Sequence, residues 1–344
     1  MKQFLFTLAV ILSLQGFAQD FAFSQFYEKP LLRNPSLAGV FDGDLRVSGI
    51  FRNQWQSVTV PYQTSAASAE VKFPIGGAND YLTLGLQFTN DVAGDIKLKR
   101  SQILPVLNFH KSLNEEYDSY LSLAFMAGSV SSQFDATKLQ LNDQFVGGSF
   151  DPNNPTQQVF KATGINYWDM ATGLTYSMGY GDMNSNTFYI GASLFHLNKP
   201  KVAFYTANNE TTILKNKFTI NAGLTTQTSD YNRLVLFADF YNQGGNNQVI
   251  GGALYGIDLV QHYDSDEKVS LYAGAFYRWK DALIPVVKLS FYRLNIGLSY
   301  DVNTSQLKTA SQSRGGFELS ASYYAKLRIR NEGAEKVRCV KFVF

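Results

Sequence analysis

Residues 294–301 read Leu-Asn-Ile-Gly-Leu-Ser-Tyr-Asp, and this two-residue period constrains the chain more than any other feature. Leu294, Ile296, Leu298 and Tyr300 fall on one face of a strand, with Asn295, Gly297, Ser299 and Asp301 on the other. The pattern recurs. Leu82, Leu84, Leu86 and Phe88 alternate with Tyr81, Thr83, Gly85 and Gln87, and Leu121, Leu123, Phe125 and Ala127 with Tyr120, Ser122, Ala124 and Met126. In a soluble sheet the apolar faces would meet a core, yet no helical segments alternate with these strands to cover them. Their apolar faces are therefore expected to meet lipid. The fold class expected is all-β: a transmembrane antiparallel outer-membrane β-barrel.

Fourteen strands can be read, near 44–55, 63–73, 80–90, 99–112, 117–133, 165–178, 185–197, 216–226, 231–241, 248–260, 268–279, 284–291, 293–301 and 316–327. Most suit the ~9–11 residues that a tilted strand needs to cross a bilayer. An even count closes a barrel with both termini on one side. The three longest connections, 134–164, 198–215 and 302–315, all fall on the same side. Short turns inside and long loops outside would place both termini in the periplasm.

The first residues set the compartment. Lys2, the apolar run 4–14 and Gly16-Phe17-Ala18 describe a secretory signal peptide cut after Ala18. The domain reading is then 1–18 signal peptide, 19–43 irregular N-terminal segment, 44–327 barrel and 328–344 basic periplasmic tail, in the outer membrane of a Gram-negative cell. The 27 Phe and 20 Tyr suit the aromatic girdles of such a barrel. A net charge of +2 gives no argument for nucleic acid. A single cysteine, Cys339, excludes a disulfide framework.

The chain offers little catalytic material. Three histidines and one cysteine leave little for a metal site, and no cofactor motif is present. An acyl hydrolase would need a nucleophile beside a histidine. His110 and His196 are expected near opposite ends of the barrel, about 25 Å apart, and His262 lies in a turn, as does the carboxylate run Asp264-Ser265-Asp266-Glu267. No enzyme is expected. Arg46, Arg52, Glu70, Lys72, Arg278, Glu318 and Lys326 lie on strands, where charge is tolerated only toward the lumen. They either pair and rigidify the barrel or line a selective pore.

Three stretches resemble a known family. They are 23–39 (Phe-Ser-Gln-Phe-Tyr-Glu-Lys-Pro-Leu-Leu-Arg-Asn-Pro-Ser-Leu-Ala-Gly), 51–55 (Phe-Arg-Asn-Gln-Trp) and 297–307 (Gly-Leu-Ser-Tyr-Asp-Val-Asn-Thr-Ser-Gln-Leu). Together they resemble the PorP/SprF family of type IX secretion system membrane proteins. Residues 189–200 and 276–281 are similar to further family stretches. The resemblance implies a non-enzymatic barrel that binds or anchors a specific secreted client, adhesin-like and carrying a C-terminal sorting domain. It also implies contact with the periplasmic machinery, a peptidoglycan-binding partner and, in some members, gliding motility. The candidate partner-binding positions are Phe23, Gln25, Asn34, Pro35, Arg52, Asn53, Trp55, Asp301, Asn303, Ser305 and Arg338. The alternative reading is a general porin or small-molecule transporter. Pro30 and Pro35 exclude a regular strand over 23–39, which therefore either plugs the lumen or leads in along the first strand.

Overall fold

The computed structural model describes residues 20, 22–54, 60–75, 79–151, 153–154, 156, 160, 162–204, 213–261, 268–305, 312 and 314–327. The signal-peptide reading, Trp55, His262, the 264–267 carboxylates and the tail with Arg338 and Cys339 lie outside them. Fourteen antiparallel strands form one closed barrel. They are β1 Leu45–Gln54, β2 Tyr62–Pro74, β3 Tyr81–Ala93, β4 Leu98–Asn114, β5 Ser119–Gln133, β6 Gly164–Tyr180 and β7 Asn186–Phe195. The second half comprises β8 Lys217–Ser229, β9 Asn232–Gln243, β10 Asn246–Gln261, β11 Lys268–Arg278, β12 Ala282–Phe291, β13 Leu294–Asn303 and β14 Arg314–Ala325. All fourteen expected strands are present, with ends that differ by a few residues. β1 closes on β14 from Leu45↔Ala325 to Gln54↔Gly316.

The alternation sorts side chains as the sequence reading expects. On β13, Leu294, Ile296, Leu298 and Tyr300 are exposed while Asn295, Ser299 and Asp301 are buried inside the ring. On β3, Leu84, Leu86 and Phe88 face outward, whereas Thr83 and Gln87 face inward. Backbone groups in hydrocarbon have no water to bond, so a strand wall there must close on itself. The long connections 134–163, 196–216 and 304–313 all leave one rim, called here the long-loop mouth. Over it the first two loops share an aromatic contact: Phe134 meets Phe160 at 5.3 Å and Phe204 at 4.9 Å between ring centres. A miniature hairpin, Phe145–Val146 with Ser149–Phe150, projects from the first loop. Two-residue links serve elsewhere, as at Gly244 (φ 59°) and Gly245 (φ 90°), where successive positive φ values match the twist of a tight hairpin.

Ahead of β1 the chain does not hug the wall. Residues 22–44 run inside the ring as an N-terminal strap, broken into Phe26–Glu28 (3₁₀), the single helical turn α1 at Pro30–Arg33 and Pro35–Leu37 (3₁₀). Pro30 and Pro35 each open one of these short turns, where a missing N–H costs nothing. The strap starts near the long-loop mouth, where Asp20 meets Arg100 near the start of β4. It finishes at the opposite rim, where Asp44 N–H donates to Ala325 O at the end of β14. The expectation that the two ends of the wall share one side therefore holds. β1 begins and β14 ends at the short-turn mouth, but the chain ahead of β1 crosses the lumen to the other.

The interior is not polar throughout. Val235, Phe237, Ile250, Leu254, Tyr272, Phe276, Ile284 and Val286 make the inner face of β9–β12 apolar, and Phe26, Tyr27, Leu37 and Val40 of the strap pack on it. An inner wall that meets protein instead of water has no need to be polar.

Leu298 stands mid-strand on the outer face, 55 % exposed. Leu298→Arg should lower folding stability in vesicles by about 2–4 kcal/mol, whereas Leu298→Phe should leave the guanidine midpoint near wild type. Equal effects of the two would sink the assignment of this face to lipid.

Candidate functional site

The lumen and the strap that threads it form the candidate site. At its centre Arg33 forks onto Asp239 of β9, with Nε–Oδ2 at 2.7 Å and Nη2–Oδ1 at 2.5 Å. Phe26, Tyr189 and Phe237 surround the guanidinium with aromatic faces. Tyr27 stacks on Phe237 at 5.1 Å, and Phe26 meets Phe276 edge-on at 5.4 Å. Both partners of the ion pair are desolvated, so removing one would leave the other an uncompensated buried charge. Of the strap's other charges, Glu28 accepts from Lys288 at 2.6 Å, while Lys29 donates to neutral groups, Ser48 O and Ser48 Oγ, at 2.7 and 2.9 Å.

Backbone and amide groups of the strap find partners around the ring. The carbonyl of Arg33 accepts from Ser193 and Thr219 at 3.1 and 2.8 Å. Asn34 Oδ1 accepts from Ser36 N–H at 2.9 Å, which fixes the second turn, and its Nδ2 donates to Thr175 Oγ1 at 3.2 Å. Asn108 on β4 donates from one amide to Ser36 O and Ala38 O, both at 2.8 Å. The wall makes room for these groups by omitting side chains. A Cβ on Gly173 would overlap Asn34 Oδ1, and one on Gly297 would overlap Gln25 Oε1. The cavity between Tyr27, Pro30, Arg33, Leu37, Tyr189 and Phe237 has about 20 Å³ for a water centre, enough for one molecule.

Five of the seven charges expected in the lumen from sequence, Arg46, Arg52, Glu70, Arg278 and Glu318, form ion pairs there. Arg46 bonds Glu70 through Nε and Nη2, both at 2.8 Å, and Glu70 in turn accepts from Gly39 N–H at 3.0 Å. Lys72 donates to Phe41 O. Near the long-loop mouth Arg52 meets Asp301 at 2.9 Å and Glu318 at 3.3 Å, and Arg278 meets Asp301 at 3.0 Å. Glu318 then accepts the strap's Ser24 and Gln25 N–H groups at 2.6 and 2.7 Å. Lys326 lies beyond β14 and is exposed, so it is no part of this lining.

Several of the positions singled out from sequence thus converge. Gln25, Arg52 and Asp301 belong to one buried ionic cluster, and Phe23 packs beside it on Ile50 and Ala66. Asn53 sits beside Arg52 at the end of β1, Asn303 donates to Arg314 O across the β13–β14 link, and Ser305 follows at the rim. Asn34 and Pro35 lie deeper, against β6–β8. Sequence reading missed Asp20, Arg33, Arg100, Asp169, Lys217 and Asp239. Only their positions on inward strand faces and in a Pro-punctuated segment could have marked them.

The two described histidines are far apart in role. His110, fully buried, bonds Ser122 Oγ at 2.7 Å and Thr83 Oγ1 at 3.1 Å and stacks on Tyr81 at 3.9 Å. Among the described residues no carboxylate bonds its ring. His196, one residue beyond β7, has a carboxylate on each ring nitrogen: Asp169 on Nδ1 at 2.9 Å and Asp20 on Nε2 at 2.8 Å. Neither arrangement is that of an activated nucleophile.

Residues 15–323 match the type IX secretion system membrane protein family PorP/SprF. The chain belongs to that family. With its closed wall and apolar exterior, this PorP/SprF barrel is an outer-membrane component of type IX secretion. No curated protein sequence matches it. Solved barrels are similar at low identity. A Pseudomonas aeruginosa FadL homologue has 11 % identity and TM-score 0.46 over 86 % of this chain and 94 % of its own. The CymD monoaromatic hydrocarbon channel has 12 % identity and TM-score 0.46 over 91 % and 97 %. The Ralstonia pickettii toluene transporter TbuX has 9 % identity and TM-score 0.46 over 91 % and 96 %.

Arg33→Met strands the Asp239 carboxylate and should cost about 3–5 kcal/mol of stability, read from the guanidine midpoint. Adding Asp239→Leu should recover most of it, and an unrecovered double variant would count against the pairing. His196 carries a pH dependence. Burial pulls its pKa down, but the charge of Asp20 and hydrogen bonds to Asp169 and Asp20 prevail and hold it up at about 9. Its contribution is complete below the ordinary 6.5 and is lost as pH rises through about 9. The stability advantage of wild type over His196→Gln should shrink across that window, and a constant difference would refute the assignment.

Proposed function

We propose that this PorP/SprF barrel works by binding and not by conduction. It holds a specific secreted client, adhesin-like with a C-terminal sorting domain, at its long-loop face. Its short-turn face contacts the periplasmic secretion and gliding machinery, including a peptidoglycan-binding partner. The observation that carries this reading is the strap, which occupies the lumen from Asp20 at one mouth to Asp44 at the other and ties itself to the wall by buried ion pairs. A fourteen-strand ring with an empty interior would be wide enough for water; the strap's side chains take that space. The porin reading requires an open path, and the filled centre disfavours it.

Long loops facing outside, as outer-membrane barrels carry them, place the 134–163, 196–216 and 304–313 connections toward a surface client. On that assignment Asn53, Asp301, Asn303 and Ser305 stand at the client's end, with Arg52 holding Asp301. Phe23, Gln25, Asn34 and Pro35 are enclosed while the strap is in place and would meet a partner only after it moves. Trp55 and Arg338 keep their assignments from sequence as candidate contacts.

Full-length protein in planar bilayers should be silent, whereas deletion of residues 20–38 from the otherwise intact chain should give steady ion conductance. Isolation in mild detergent should bring down one large secreted protein. An intact barrel that conducts as freely as the deletion variant, with nothing retained, would overturn the binding reading in favour of a porin.

A further inference from the structure

At the long-loop mouth, Asp20 sits in a cradle built by three separate elements. Arg100 near the start of β4 donates from Nη1 to Oδ1 at 2.9 Å. His196, just after β7, meets Oδ2 through Nε2 at 2.8 Å, and Lys217 at the start of β8 stands 3.6 Å from the same oxygen. The Asp20 N–H donates to Gln243 Oε1 at 3.0 Å. The cradle is held from behind. Asp169 fixes the imidazole through Nδ1, and the Lys217 ammonium lies over the Phe195 and Tyr241 rings at 5.0 and 5.5 Å. His196 is 98 % buried by its 2 % exposure, whereas Arg100 and Asp20 keep 19 % and 12 % of their side chains open to the mouth.

The wall therefore brings three cationic groups to one point and supplies two carboxylates of its own nearby, Asp169 on His196 and Asp91 opposite Arg100 on the β3–β4 ladder. Without Asp20, three cationic groups would face those two partners at partial burial, an unfavourable balance that an incoming anion relieves. Burial opposes ionisation of Asp20, but His196, Arg100 and Lys217 hold its carboxyl well below the usual 3.8. One N–H of Arg100 and one of His196 approach the two oxygens of one carboxylate, a geometry suited to that group more than to a diffuse anion.

We propose that this cradle is a carboxylate-binding site at the client-facing mouth, occupied in the resting protein by Asp20 as an internal stand-in, and that an acidic side chain of a partner takes the same place when the strap's outer end lifts. Asp20 competes from within the same chain at high effective concentration, so the site is masked until it is vacated. The inference deepens the client-binding reading by naming the chemistry of one contact, but its test needs no client.

The probe is a fluorescein-labelled tetra-aspartate peptide, amidated at its C-terminus so that only side-chain carboxylates are offered, with tetra-asparagine as control. Binding to purified full-length barrel is read by anisotropy. Asp20→Asn should bind tetra-aspartate at least about tenfold more tightly than wild type, and adding Arg100→Gln should abolish the gain. Tetra-asparagine should show none. In an Ala22→Cys variant carrying Cys339→Ser, with Asp20 intact, excess tetra-aspartate should speed maleimide labelling as the strap's end is displaced. The proposal is overturned if Asp20→Asn gains nothing, if asparagine gains as much, or if labelling is unchanged. Gain of peptide binding without any co-purified client would sink the client reading and leave the site standing.

Discussion

The structure depends on one constraint: within hydrocarbon a strand has no partner for its N–H and C=O groups except another strand. The β1–β14 ladder, from Leu45↔Ala325 to Gln54↔Gly316, meets that demand by closing the ring. Closure then creates a second problem. A ring of fourteen strands encloses more volume than its own inward side chains fill, and this chain fills the difference with residues drawn from ahead of β1. The strap is thus a consequence of the wall's size, and the wall's inner chemistry is a consequence of the strap.

That dependence explains the division of the interior. Where the strap presents Phe26, Tyr27, Leu37 and Val40, the wall answers with Phe237, Phe276, Ile284 and Val286. Where it presents charge or bare backbone, the wall answers with Asp239, Lys288, Glu318, Asn108 and the hydroxyls of Ser193 and Thr219. Burying so many ionised groups stabilises little in itself, since desolvation offsets most of the attraction. What it provides is register: each strap charge has one matching position on the ring, so the segment has one place to lie. The Asp20 cradle extends this logic to the rim, where the match is reachable from outside.

The two ends of the barrel are accordingly unlike. The long-loop mouth gathers Arg52, Arg278, Asp301 and Glu318 on one side and Asp20, Arg100, Asp169, His196 and Lys217 on the other, beneath loops joined at Phe134. At the short-turn mouth stand Arg46 with Glu70, Lys111 with Asp80, and Asp258 with Arg233 and Lys268.

Sequence by itself determined the wall. Period-two alternation is a local property, and since one face must meet lipid, Leu84, Leu298 and their counterparts could be assigned to the outside without knowing any partner. The number of strands, the shared rim of the long loops and the inward placement of Arg46, Arg52, Glu70, Arg278 and Glu318 follow from the same signal. Tertiary structure alone decided what lies within. Residues 22–44 carry no periodicity, because short turns around Pro30 and Pro35 take their shape from contacts with ten or more surrounding strands and not from their neighbours in sequence. Hence the crossing of the chain from one mouth to the other, the fork of Arg33 on Asp239 separated by most of the barrel in sequence, and the meeting of Asp20 with His196 were invisible until the ring closed around them.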